Sequence, residues 1–134
     1  MGLEELKKKF ILDETEVRGR LEELITKALN YCRVDSKGRI HFERKTLSGM
    51  ERVKVALAAR GIASELDSSF SAEMSIDELS RSTGLPENSV RARCAELAAH
   101  NYIEAPTKGV FKVVFAKVEE LLDSIRNKST IPEE

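Results

Sequence analysis

Polar and basic side chains that can hydrogen bond to a nucleic acid are concentrated between residues 87 and 112. If residues 87–100 form a helix, one face of it is short and polar, and it consists of Asn88, Ser89, Arg91, Ala92 and Ala95, with Arg93 on the flank. Amide, hydroxyl and guanidinium groups can reach base edges, and arginine also binds phosphate oxygens. Such a face is partly cationic and could approach a groove without steric hindrance.

A second group of candidate cations lies in the segment that follows. Alternating apolar residues predict strands over 103–105 and 110–115, joined by the turn 106–109. The turn places Lys108 at the tip of a hairpin and Lys112 one step along the second strand. An accessible lysine at this place suits a phosphate contact. A polar tip is also what any hairpin in water requires, so both interpretations stay open.

Two helices and a glycine turn must position these side chains. Ser75 followed by Glu78 predicts a capping box at the start of the first helix. Gly84 suits the left-handed residue at which a helix ends, and Pro86 suits a turn or the first position of the next helix. The second helix has an apolar stripe that must face the core, formed by Val90, Cys94, Leu97 and Ala98.

This stretch, Ser75–Phe115, resembles the winged helix-turn-helix DNA-binding domains of prokaryotic, archaeal-type transcription regulators. The resemblance rests on the run IDELSRSTGLPENSVRARCAEL, followed by NYIE and the short wing over residues 103–115. It extends to about half of the chain when the helix predicted over 47–66 is included. It implies that residues 87–100 are the recognition helix, with Arg93 as a phosphate contact and three polar groove-facing residues, Asn88, Ser89 and Arg91, beside Ala92.

The resemblance predicts a DNA-binding transcription regulator of mixed α+β fold. The alternative is a winged-helix module that binds protein or a ribonucleoprotein, or RNA, without sequence-specific DNA binding. We expect no enzymatic activity, cofactor or metal, because His41 and His100 lack a partner pattern and no phosphate-binding loop occurs. Cys32 and Cys94 are expected to be buried thiols, which favours a cytoplasmic location, and no membrane-spanning segment is expected.

The distribution of charge weighs against the DNA interpretation. The net charge is −1, and within residues 75–115 the five bases are balanced by five acids. DNA-binding surfaces are usually basic because phosphate neutralisation supplies much of their affinity. The positive charge lies instead in the segment 33–60, which has eight bases against three acids.

The basic segment 33–60 predicts a hairpin and a helix. Strands over 31–34 and 39–43 flank a turn that would expose Lys37 and Arg39, with Arg33 and His41 also facing solvent. Ser48 and Glu51 predict a capping box for a helix over 49–66, whose buried stripe is Val53, Ala56, Leu57, Ile62, Ala63 and Leu66. Arg52, Lys54 and Arg60 are expected to lie outside that stripe. The bases could follow a phosphate backbone, or form a solvated face, or pair with the acidic N-terminal helix.

The remaining segments predict helices at both ends. Asp13 with Glu16 predicts the cap of a helix whose apolar face is Val17, Leu21, Leu24, Ile25, Ala28 and Leu29. A shorter amphipathic stretch precedes it (Leu3, Leu6, Phe10, Ile11), and a final helix follows the wing (Val118, Leu121, Leu122, Ile125). These helices either complete a monomer core or form a homodimer. The resulting organisation is a helical segment with a hairpin (1–46), a winged helix-turn-helix with a C-terminal helix (47–128) and a tail (129–134), packed as one unit.

Overall fold

The computed structural model of the protein describes residues 2–11, 14–43 and 46–129, and the side chains of all of these except 14–18 and 126–129. Its fold is mixed α+β, as predicted. The elements in chain order are α1 (Leu3–Phe10), α2 (Glu14–Ala28), β1 (Cys32–Val34), β2 (Ile40–Phe42), α3 (Gly49–Leu66), β3 (Met74–Ser75), α4 (Ile76–Thr83), α5 (Glu87–Ala99), β4 (Ile103–Thr107), β5 (Val110–Val113), a 3₁₀ turn (Phe115–Lys117) and α6 (Val118–Ser129). The order from α3 to β5 is that of a winged helix-turn-helix, preceded by the β1–β2 hairpin and followed by α6.

Two small antiparallel sheets accompany the helices. The first pairs β1 with β2, and the second has the order β3-β5-β4. In the wing, Thr107 pairs with Val110, so the loop contains only Lys108 and Gly109 and is shorter than the predicted turn 106–109. Strand β4 accommodates Pro106 for two reasons. It is an edge strand, and its register shifts between Glu104 and Thr107, so the missing N–H of proline costs no hydrogen bond between strands.

Helix α3 lies at the centre of the core. Its capping box forms as predicted, because Ser48 Oγ accepts from the Glu51 N–H and the Glu51 carboxylate accepts from the Ser48 N–H. The helix is buried on almost every side rather than along one stripe, and its run of alanines lets α6, β5 and α4 approach closely. The prediction that Leu66 is buried is wrong: 57% of this residue is exposed. Leu29, also predicted to face the core, is 51% exposed, because it follows the last turn of α2.

Arg60 was expected to lie outside the buried stripe of α3, and this prediction is wrong. Only 6% of the residue is exposed. Its guanidinium donates to three carbonyl oxygens, those of Gly38 (3.0 Å), Ser71 (2.7 Å) and Glu73 (3.1 Å), and pairs with the carboxylate of Glu78. One side chain therefore joins α3 to the β1–β2 hairpin, to the loop before β3 and to α4.

The helix-turn-helix forms largely as the sequence predicts, with one difference. Ser75 Oγ accepts from the Glu78 N–H at 3.0 Å, so the N-terminal cap of α4 is confirmed. The reciprocal half of the capping box is wrong, since the Glu78 carboxylate pairs with Arg60. Gly84 ends α4 with φ of 77°, a left-handed value that glycine adopts at low cost. The turn is further held by Ser80 Oγ, which donates to the Leu85 carbonyl at 2.6 Å.

The C-terminal helix completes the core of the monomer. Val118, Leu121, Leu122 and Ile125 are buried. Helix α2 packs on α6 through ion pairs from Lys27 to Glu119 (2.9 Å) and Asp123 (2.8 Å). The bond to Asp123, followed by that to Glu119, raises the pKa of Lys27 above its usual value. The predicted cap at Asp13 lies outside the described residues. Helix α1, by contrast, buries none of its side chains.

Gly19 lies within α2, and apart from its chain neighbours and the nearby backbone of its own helix no described atom comes within 4 Å of the position of an added Cβ. Close packing therefore does not account for this glycine. We expect Gly19→Ala to raise the free energy of unfolding by up to about 1 kcal/mol, because alanine loses less backbone entropy in a helix. Thermal or urea denaturation measures the change. Gly84→Ala is the matched control and should be destabilising, since its φ is positive; equal effects at the two sites would contradict the prediction.

Candidate nucleic-acid interface

The exposed face of α5 is presented as the sequence predicts. Val90, Cys94 and Leu97 are buried and orient the helix against α4, α3 and β4. The opposite face exposes Asn88, Arg91, Ala92 and Ala95, while Ser89 is half-buried. Because alanine and serine are short, the backbone of α5 lies close to the molecular surface along this face. This face of α5 could therefore approach a nucleic-acid groove closely, with its polar side chains directed into the groove.

The two arginines of this helix have different environments. Arg91 is exposed, and its side chain makes no hydrogen bond or ion pair with the part of the chain that the structure describes. Arg93 is half-buried beside the first turn of α3, where a Cβ at Gly49 would lie 3.1 Å from its Nε. That Nε is shielded from solvent and has no acceptor among the described residues. Arg93 is therefore a flank residue with an unused donor, whereas Arg91 projects freely.

Arg52 adds a second guanidinium near the turn between α4 and α5. Its Nη1 donates to the Thr83 carbonyl at 2.8 Å, at the end of α4. Its Nε, like that of Arg93, is buried without an acceptor among the described groups. Arg52 was expected to project away from the core stripe of α3. It is half-buried, and it supports the end of the helix that precedes the turn.

The wing carries one free lysine and one lysine beside a carboxylate. Lys108 is exposed at the hairpin tip, next to Gly109 with φ of 77°. Lys112 is half-buried and lies opposite Glu104 in the β4–β5 register. Neither ammonium group is within ion-pair distance of a carboxylate in the described chain. Lys108 is the more accessible cation, and the charge of Lys112 is partly offset by its cross-strand neighbour.

The β1–β2 hairpin neutralises much of its own charge through Asp35. This carboxylate accepts from Arg39 Nε at 2.9 Å, from the N–H groups of Lys37 (2.9 Å) and Arg39 (3.0 Å), and bonds His41 Nε2 at 2.8 Å. The bond to His41, then that from the Arg39 N–H, holds the pKa of Asp35 well below its usual range. His41, for which the sequence shows no partner pattern, therefore has Asp35 as a partner, and His100 Nδ1 likewise lies 2.9 Å from the Glu96 carbonyl oxygen. Lys37 remains exposed, and its ammonium group is unpaired among the described side chains.

The rest of the basic segment 33–60 is also engaged internally. Arg33 pairs with Glu43 at 3.3 Å, Lys54 donates to Ser124 Oγ at 3.2 Å, and Arg60 is buried. Arg44 and Lys45 lie outside the described residues. Several of these bases are therefore paired, but the prediction that they pair with the acidic N-terminal helix is wrong among the described side chains, because their carboxylate partners come from the hairpin and α4. The N-terminal bases Arg20 and Lys27 pair instead with α6.

The hairpin approaches α4. Arg39, Ile40 and His41 line one side of an open cleft, whose other side comes from Ser75, Asp77, Glu78, Arg81 and Ser82. The structure thus places the predicted residues in one set on α5 and one on the wing, with Arg39 beside α4 and Lys37 exposed in the turn of the β1–β2 hairpin. The Asp35 cluster and the Arg81–Asp77 pair are functional-surface features that the sequence patterns did not predict. The spacing of Asp35, Arg39 and His41 around a glycine turn was the available signal.

Both cysteines of the described chain are buried free thiols. Burial raises the pKa of Cys32 to about 12, with Glu43 adding to the effect, and burial raises that of Cys94 to about 11. Both thiols are therefore protonated at neutral pH and are poor nucleophiles. Within the described ranges no three His, Cys, Asp or Glu side chains are grouped so that they could hold a metal ion. No described helix is both long and apolar enough to cross a membrane.

Comparison with known proteins identifies no relative. No family model, no curated protein and no solved structure matches this chain. The function of this protein is therefore inferred from the geometry and chemistry of its surfaces.

Proposed function

We propose that this protein is a DNA-binding transcription regulator that places the exposed face of α5 in the major groove and contacts the phosphate backbone with the wing. The observation that carries the proposal is the position of the unpaired cations. Arg91 projects from a face of short side chains, and Lys108 occupies the wing tip; neither has a partner among the described residues. Guanidinium and ammonium groups held in this way suit base edges and phosphates.

Several other bases of this protein form ion pairs within the chain, and this contrast strengthens the proposal. Arg33, Arg39 and Arg81 are paired with neighbouring carboxylates, and Lys27 is held between two acids of α6. The bases of α5 and the wing could have been paired in the same way, because this region carries equal numbers of acids and bases. Leaving Arg91 and Lys108 unpaired keeps them available to an external anion at no internal cost.

The charge balance also limits the expected affinity. Glu87 and Glu96 are exposed on the same helix as Arg91 and oppose phosphate binding. With about three or four phosphate contacts, the slope of log K against log salt should be about −3 to −4. Contacts to base edges from Asn88, Ser89 and Arg91 must therefore supply much of the specificity. The reduced, buried thiols favour a cytoplasmic site of action.

Binding of labelled duplex DNA across a salt series tests this proposal. We expect Lys108→Ala to weaken binding about equally for all sequences and to reduce the salt slope by about 1. Arg91→Ala should also reduce the slope and, in addition, relax the preference for one duplex sequence over another.

Arg20→Ala is the matched control, because it removes the same charge from an exposed arginine that pairs with α6. It should leave both the affinity and the slope nearly unchanged. Binding that is absent at low salt over a random-sequence duplex library contradicts the proposal. So does an Arg20→Ala effect as large as that of Arg91→Ala, since that would reflect net charge alone.

A second candidate function is favoured by the electrical neutrality of residues 75–115, where five acids balance five bases. A neutral, short-chain helix face also suits a protein or ribonucleoprotein partner. In that case Arg91→Ala would leave duplex binding unaffected. The wild-type chain would instead bind structured RNA or a protein, and this binding would depend on Ala92 and Ala95. Parallel titrations with structured RNA separate this outcome from DNA binding.

A further inference from the structure

The exposed apolar side chains of this protein fall into two sets. Among the described side chains, the large hydrophobic residues with high exposure are Leu3, Leu6, Phe10, Ile11, Leu29 and Leu66. The first four form the α1 apolar face, with exposures between 49% and 89%. The other two belong to a groove beside α2 and α3. Scattered single apolar residues are common on surfaces, but two concentrated sets indicate contact surfaces.

The α1 apolar face has the periodicity of a helix that packs on a partner. Leu3, Leu6 and Phe10 are spaced by three and four residues and share one side, and Ile11 follows directly. Yet α1 buries none of its residues. An eight-residue helix is marginal in water by itself and gains its stability from packing of its apolar side. The α1 apolar face therefore requires another apolar surface on which to pack.

The α2–α3 groove is the matching receptor in this chain. It is lined by Ile25 and Ala28 of α2 and Leu29 just after it, by Val34 from β1, and by Leu66 at the end of α3 and Phe70 beyond it. It encloses about 220 Å³. Its lining is almost entirely apolar, and Leu29 and Leu66 remain more than half exposed. A groove of this character accepts two or three large apolar side chains from an amphipathic helix.

Charge supports the same match. Helix α1 carries Lys7, Lys8 and Lys9 in its last turn. Near the groove, exposed Glu65 and Asp67 flank Leu66, and the lining residue Arg33 is paired with Glu43, so acidic groups outnumber basic ones among these residues. A polar rim of opposite sign around an apolar centre favours docking of a basic amphipathic helix over an acidic one.

The chain's own α1 does not occupy this groove, since α1 buries none of its residues and Leu29 and Leu66 remain more than half exposed. Ile25 lies eleven residues after the start of α2 at Glu14, which is about 16 Å along the helix axis, and Leu29 lies about 22 Å along it. Phe10 precedes Glu14 by four residues, so its Cα can reach at most about 14 Å from that point even when fully extended. The Cα of Phe10 therefore stays short of Ile25 along α2, and an intramolecular α1 would have to reach the groove with Leu3 and Leu6, both of which are exposed in the structure.

We propose that the α1 apolar face of one copy docks into the α2–α3 groove of a second copy, and that the exchange is reciprocal in a two-fold symmetric homodimer. A self-complementary pair of surfaces closes in this way, because each chain provides one helix and one groove. Helix α6, also predicted as a candidate for dimer contact, buries its apolar residues in its own core and takes no part. This inference does not depend on the proposed DNA-binding function.

Molecular mass measured by light scattering over a wide concentration series tests the exchange. The wild-type chain should reach twice the monomer mass. Phe10→Asp and Leu66→Asp should each raise the dissociation constant by at least about a hundredfold, because each substitution removes an apolar contact at two places in the dimer. Both residues are exposed in the monomer, so circular dichroism should show an unchanged fold.

Ala116→Asp provides the control, since it adds the same charge at an exposed residue outside both surfaces and should leave the dimer intact. A mixture of Phe10→Asp and Leu66→Asp chains should recover dimers, because one intact helix then meets one intact groove. A wild-type chain that stays monomeric at the highest concentration overturns the proposal. Loss of the dimer in Phe10→Asp but not in Leu66→Asp also overturns it, as that result indicates pairing of α1 with α1. Failure of the mixture to associate does the same.

Discussion

Arg60→Ala is expected to lower the free energy of unfolding by about 3–5 kcal/mol, as is typical when one partner of a buried charged network is removed. The substitution leaves the carbonyls of Gly38, Ser71 and Glu73 without their donors and the Glu78 carboxylate without its counter-ion. Since small proteins are stable by only about 5–15 kcal/mol in total, this is a large fraction. Urea denaturation at neutral pH measures it.

The network also predicts how related variants rank. Glu78→Gln should cost much less than Arg60→Ala, because the Glu78 side chain is 38% exposed and water can replace the lost charge. Arg60→Lys should fall between the two, since an ammonium group cannot donate in the planar pattern that the three carbonyls require. Arg20→Ala, which breaks an exposed pair, should change stability by less than about 1 kcal/mol. An Arg60→Ala cost as small as that of Arg20→Ala would show that the buried network does not hold the elements together.

Gly61→Ala is expected to destabilise the fold by about 1–3 kcal/mol, the usual cost of overpacking a core. An added Cβ would lie 2.4 Å from Val113 Cγ1, which is far inside van der Waals contact, so α3 and β5 would have to separate. Helix propensity alone predicts the opposite sign, with a gain of about 1 kcal/mol for alanine. The same substitution at Gly19, where the added Cβ meets open space, should therefore be stabilising while that at Gly61 is not.

A double-mutant cycle isolates this contact. Val113→Ala alone removes buried methyl groups and should also destabilise the protein. Combined with Gly61→Ala, it removes the clash, so the pair should be less destabilised than the sum of the two single changes by about 1–2 kcal/mol. Simple additivity would mean that the core adapts to the alanine without displacing β5.

Local signals predicted most of the secondary structure. The capping box at Ser48 and Glu51, the left-handed glycine at position 84 and the buried stripe of α5 are each encoded by residues within one or two turns of one another. These features depend on backbone geometry and short-range hydrogen bonds, so sequence periodicity is sufficient to find them. The orientation of Asn88, Arg91 and Ala92 toward solvent followed from the same periodicity.

The errors arose where distant elements meet. Arg60 was placed outside the core because a charged residue is usually solvated. Its burial depends on three carbonyls that reach it from two other parts of the chain. Leu29 and Leu66 fit helical apolar patterns, but no other described element covers them, and both are more than half exposed. A pattern within one helix does not show which distant elements of the chain pack against it.

The sequence by itself therefore determined the succession of helices and strands, the exposed polar face of α5 and the lysine at the wing tip, because each depends on contacts close in the chain. Tertiary structure alone decided which cations remain available to a partner. It pairs Arg33 and Arg39 with neighbouring acids, buries Arg60, and leaves Arg91 and Lys108 unpaired among the described residues. It also decided that α6 joins the core while α1 does not. The physical reason is that charge pairing and burial are set by distances in space between residues far apart in sequence.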